Sequence, residues 1–79
     1  MAVYHNPDDR APCGYYRLEV WEKSDTPETP RNAPLVSVGS RWFRLRSHLL
    51  HAATEERQSG RYVEAYYVLD DDRTEDVRI

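Results

Sequence analysis

A chain of 79 residues with 32% charged and 11% aromatic side chains describes one small folded domain rather than a disordered tail. Its net charge of −3 argues against a surface built throughout for phosphate backbones. The single cysteine excludes an intramolecular disulfide and a cysteine-based zinc cage, and no apolar run approaches the ~18–20 residues of a membrane span.

Residues 1–79 read as a single domain. Residues 1–14 hold Pro7, Pro12, Gly14 and the Asp8-Asp9-Arg10 cluster, which predicts a loose N-terminal arm with Cys13 near the surface at its end. No apolar signal-peptide core follows Met1, so the expected location is cytoplasmic. From Tyr15 to Lys23 the residues alternate: Tyr16, Leu18 and Val20 belong on one side of a strand, and Tyr15, Arg17, Glu19, Trp21 and Lys23 on the other. Residues 24–34 contain three prolines, which lack the donor a sheet requires, and read as a long exposed loop.

Gly39-Ser40 separates two short apolar-bearing runs and predicts a two-residue hairpin turn. That register sets Val38 opposite Arg41 and Val36 opposite Phe43, with Val36, Val38, Phe43 and Leu45 on one buried face. A helix competes for the same residues, because Trp42, Leu45, Leu49 and Ala52 recur at spacings of three and four. Both readings converge on a helix from about His48 to Gln58, capped by Ser47 and ended by Gly60. Leu49, Leu50 and Ala53 are expected against the sheet, with Glu55, Glu56 and Arg57 in water. Arg61 to Leu69 alternates as a second long strand, with Val63, Ala65, Tyr67 and Leu69 on one side and Tyr62, Glu64, Tyr66 and Val68 on the other. Asp70-Asp71-Asp72 is a turn, since adjacent carboxylates repel and resist burial, and Val77 to Ile79 is expected as a short edge strand. The fold class is α+β: one helix packed on a four- to five-stranded antiparallel sheet.

No phosphate-cradling Gly-rich loop, nucleophile elbow or metalloprotease His-Glu pair is present, and no cofactor or catalytic function is expected. His48 and His51, three apart on the helix, lack a third ligand at useful spacing. Glu55 and Glu56 are adjacent on a helix and diverge, so they make no acid/base pair.

Charge is unevenly spread. Residues 1–40 carry four basic and six acidic groups, a balance of −2; residues 41–61 carry five against two, or +3; residues 62–79 carry two against six, or −4. If one helix covers one sheet face, the other displays Arg17, Trp21, Trp42, Arg44, Arg46, Tyr62 and Tyr66, with Tyr15 beside them. Aromatic and Arg side chains are those enriched at protein-binding hot spots, and they also suit stacking of unpaired bases, so a protein partner, a homodimer interface or nucleic acid are all served by that face. The second candidate surface is acidic: Asp70, Asp71, Asp72, Glu75 and Asp76 within seven residues, with Glu64 near in sequence. Carboxylates on a rigid turn imitate a phosphate row and engage a basic groove on another protein.

In size, acidity and build, with the stretch Asp70-Asp71-Asp72-x-x-Glu75-Asp76, the chain resembles phage-encoded anti-CRISPR proteins. The resemblance implies a non-enzymatic inhibitor that binds a Cas subunit and blocks target-DNA binding. It carries over no functional residue by position, and the Arg41–Arg46 segment departs from a purely acidic mimic.

Overall fold

The computed structural model describes residues 3–24 and 34–79. Four strands and one helix follow in the order β1 (Tyr16–Lys23), β2 (Leu35–Phe43), α1 (Arg46–Gln58), β3 (Tyr62–Val68) and β4 (Thr74–Asp76). The sheet is antiparallel throughout, with strand order β2-β1-β3-β4. β1 is therefore central, and α1 carries the chain over it from β2 to β3. Leu18 and Val20 of β1 and Leu49 of α1 are fully buried, and Ala52, Ala53, Ala65 and Val77 complete the core. Tyr16, Val38, Phe43, Val63 and Tyr67 pack around it. The α+β fold with one helix on a four-stranded antiparallel sheet is the one expected.

The alternation of β1 and β3 is reproduced from Tyr16 to Trp21 and from Tyr62 to Tyr67. Tyr16 pairs with Tyr67, Leu18 with Ala65 and Val20 with Val63 on the helix side; Arg17 pairs with Tyr66, Glu19 with Glu64 and Trp21 with Tyr62 on the other. Leu69 lies beyond the strand and is exposed.

The hairpin is overturned. Gly39 and Ser40 lie in the middle of β2, which runs unbroken against β1 from Leu35–Lys23 to Phe43–Tyr16. The register slips between Val20 and Trp21, which face Gly39 and Ser37, so Val38 is an extra bulged residue. Gly39 has a positive φ of 135°, as a turn glycine would, but it serves the irregularity of a continuous strand. Val36 pairs with Glu22 on the helix side, in phase with Val20, but it lies past the buried part of the core and is 48% exposed instead of buried. Leu45 follows the strand at the helix entrance and is 55% exposed. Residues 41–46 divide between the two competing readings: strand through Phe43, helix from Arg46.

The helix begins two residues earlier than expected, with Leu45 at its N-cap position and no side-chain cap, so Ser47 lies inside it. Gly60 ends it at a φ of 83°, with Gly60 N–H on Arg57 O and Arg61 N–H on Glu56 O. Ala52 and Glu56 are buried with Leu49 and Ala53, while Leu50 is exposed. The acidic turn forms as expected, but the last strand is Thr74–Asp76 rather than Val77–Ile79, because the turn already closes at Arg73, whose carbonyl accepts the Leu69 and Asp70 amides. Of the Pro-rich loop, only its margins are seen, with Ser24 N–H on Pro34 O; residues 25–33 lie outside the described residues.

The arm expected to be loose is tied down at Tyr4, His5 and Pro7. His5 forms an antiparallel bridge with Ser40 on the outer edge of β2, exchanging both backbone bonds at 2.7 and 3.0 Å. Ala11 is buried, and Gly14 N–H reaches Val68 O.

Candidate functional site

The acidic flank is built by the β3–β4 turn. Asp70 accepts the amides of Asp72 and Arg73 at 2.9 and 3.0 Å and pairs with the Arg73 guanidinium at 2.7 Å. The Asp72 amide first, then the Arg73 side chain, hold the Asp70 carboxyl below the usual carboxylate range. Asp70 is thus spent on shaping the turn. Asp71, Asp72, Glu75, Asp76 and Glu64 are exposed, and among the described residues none of them forms an ion pair. The β3–β4 register sets Asp76 opposite Tyr66, two residues from Glu64 on the same side of β3, so those two carboxylates lie on one surface with the turn at its end.

The aromatic face is less open than its sequence implies. Arg17 is only 8% exposed: its Nη2 donates to Pro7 O at 2.6 Å and lies 3.6 Å from Glu19. The Tyr66 hydroxyl donates to Glu19 at 2.8 Å, and burial, with that bond and the Glu19 charge, pushes Tyr66 up to about 12. Trp42 is covered by the His5 ring, stacked at 3.7 Å with planes 8° apart. Trp21 and Tyr62 are cross-strand neighbours at the other end of the face, where Tyr62 is exposed. Arg44 and Arg46 are not on the sheet: Arg44 sits in the bend after β2, over the Tyr15 ring at 5.1 Å, and Arg46 is the first helical residue. The bend takes both away from the face because β2 ends at Phe43.

Between arm and acidic turn lies a depression of about 200 Å³, lined by Arg10, Ala11, Arg17, Tyr66, Val68, Asp70, Asp71 and Thr74. Arg10 bridges its two sides by donating to Asp71 O at 3.3 Å.

Sequence reasoning missed a buried charge cluster. Glu56, expected in water, is 3% exposed. Its Oε1 accepts from Tyr4 O–H at 2.6 Å and Arg41 Nη1 at 3.3 Å, and its Oε2 accepts from Arg61 Nη1 at 2.8 Å. Arg61 also donates to the Tyr4 hydroxyl and lies 3.5 Å from Glu22. Burial alone would raise the Glu56 carboxyl; hydrogen bonds from Tyr4 and Arg61, with the Arg61 and Arg41 charges, outweigh it and hold Glu56 below the usual range. Tyr4 is raised in turn by burial and by its bond to Glu56. The available signal was the helical stripe at 49, 52, 53 and 56, which places a carboxylate on the buried side.

His48 and His51 are both exposed, with His51 Nε2 2.7 Å from Glu55. Among the described residues no three His, Cys, Asp or Glu side chains converge as a metal site, and no helix is long and apolar enough to cross a membrane. Cys13 is exposed. No protein-family model, curated protein or solved structure matches this chain.

Proposed function

We propose that this chain is a non-enzymatic protein-binding inhibitor that presents its acidic flank to a basic groove which otherwise holds nucleic acid, as an anti-CRISPR protein does to a Cas subunit. The observation that carries this reading is the division of labour in the β3–β4 turn. Asp70 is consumed in fixing the backbone, while Asp71, Asp72, Glu75, Asp76 and Glu64 stand exposed and, among the described residues, make no side-chain ion pair. Exposed carboxylates on a fixed turn match phosphates in charge and lose little conformational freedom on binding, with Asp76 and Glu64 on one side of the sheet and Glu75, opposite Tyr67, on the other.

The test replaces Asp71, Asp72, Glu75 and Asp76 by their amides, leaving Asp70 in place, and measures association with purified Cas effector complexes. Association should slow by at least about tenfold at 0.1 M salt, and the difference should vanish near 1 M, where the screening length falls to about 3 Å. Unchanged association at low salt, with the fold intact, would reduce the flank to a solvated turn.

A second reading is favoured by a different observation. At the end of the helix-free face away from the arm, Leu35 and Tyr62 are 50% and 45% exposed beside the half-buried Trp21. An apolar patch of this kind on so small a domain suits a two-fold homodimer.

A further inference from the structure

Trp42 and Arg17 are direct cross-strand partners on the face the helix leaves uncovered, and the arm occupies both. The His5 ring lies parallel to the Trp42 ring at 3.7 Å, the arrangement in which an unpaired base stacks on an aromatic platform. Two residues further on, the Pro7 carbonyl oxygen takes the Arg17 Nη2 donor at 2.6 Å, where a phosphate oxygen would sit on a guanidinium. Arg17 is left incompletely satisfied, since its buried Nε has no acceptor among the described residues. At the same corner Arg44 is exposed over the Tyr15 ring and adds a second cation and a second aromatic surface.

We propose that this corner is a binding site for an unpaired nucleotide of a single-stranded nucleic acid, and that the chain's own arm fills it in the closed state, with His5 in the place of the base and the Pro7 carbonyl in the place of the phosphate. Glu19, 3.6 Å from Arg17, tempers attraction of the anion, so stacking on Trp42 carries most of the recognition. The arm is held over the site by the His5–Ser40 bridge, by Arg10 on Asp71 O, and by the single Tyr4 hydroxyl on Glu56 and Arg61. Loss of those ties uncovers the platform without disturbing the sheet beneath it, because Trp42 and Arg17 belong to paired strands. Arg17 shares a depression with Asp70 and Asp71, but recognition by stacking on Trp42 does not depend on the acidic flank's role.

The full-length chain with Tyr4→Phe and His5→Ala tests the idea. Binding of a fluorescein-labelled ten-residue oligothymidylate at low salt is followed by anisotropy, and release of the arm by faster hydrogen exchange at the Ser40 amide. The variant should bind about tenfold more tightly than the parent, the scale of one base stacked on an aromatic ring. Adding Trp42→Leu should abolish the gain. An arm that is released without a gain, a gain that survives Trp42→Leu, or a Ser40 amide as protected as in the parent would each overturn the proposal. If circular dichroism shows the double variant unfolded, His5→Ser alone carries the same readouts.

Discussion

A carboxylate removed from water is strongly destabilising unless donors and cations replace its hydration, and at Glu56 Tyr4, Arg41 and Arg61 do so from three separate elements. Its neighbour Gly60 contributes indirectly. The left-handed glycine turns the chain so that Arg61 meets Glu56 twice, through its amide on the carbonyl and its guanidinium on the carboxylate. Glu56→Gln keeps the shape but leaves Arg41 without its anion and Arg61 with only Glu22, and should destabilise the fold by about 2–3 kcal/mol in a chemical-denaturation measurement. The pH dependence has a fixed sign. The folded value lies below the ordinary glutamate value near 4.5, so the contribution is complete above that pH and is lost as pH falls through the folded value. The parent chain should therefore lose stability on the acid side more steeply than Glu56→Gln, whose amide does not titrate.

At the scale of elements, β2 carries the most information. A Gly-Ser pair between apolar runs has the composition of a hairpin turn, but the same positive φ also serves an irregular edge strand against which another segment lies closely. A Cβ on Gly39 would stand 2.6 Å from His5 O and 3.0 Å from the Tyr4 Cβ. Gly39→Val should thus destabilise by about 2 kcal/mol through backbone strain and also dislodge the arm. Thermal denaturation reads the first effect and faster Ser40 amide exchange the second. β1 and β3 were legible because strict alternation of period two needs no knowledge of partners. β2 was not, since one bulged residue exchanges inside and outside for everything before it, and a single sequence does not display a bulge. The helix was found by composition and misphased at Glu56, because a carboxylate on the buried stripe is explained only by Arg41, Arg61 and Tyr4, up to 52 positions away. The candidate site was half visible: the acidic turn announced itself by density, whereas the arm's occupation of Trp42 and Arg17 is a tertiary fact.

For the whole molecule, the two edges of the sheet are protected unequally. β4 is three residues long and charged, whereas β2 opens with the exposed Leu35 and Val36. If the patch formed by Leu35, Trp21 and Tyr62 is a two-fold interface, light scattering at tens of micromolar should give twice the chain mass, and Leu35→Glu should restore the monomer. A monomer mass for the parent would remove the homodimer. The docked arm has one further consequence, for the order in which the chain acquires its structure. Its anchors are Glu56, Asp71 and the edge of a completed β2, all of which follow it in the chain. Tyr4 has no partner until Glu56 has been made, and Arg10 none until Asp71 has. During synthesis the Glu56 and Asp71 anchors are therefore still missing when Trp42 has already been made, and the His5–Ser40 bridge and the bond from Arg17 to Pro7 O are left to hold the arm over it.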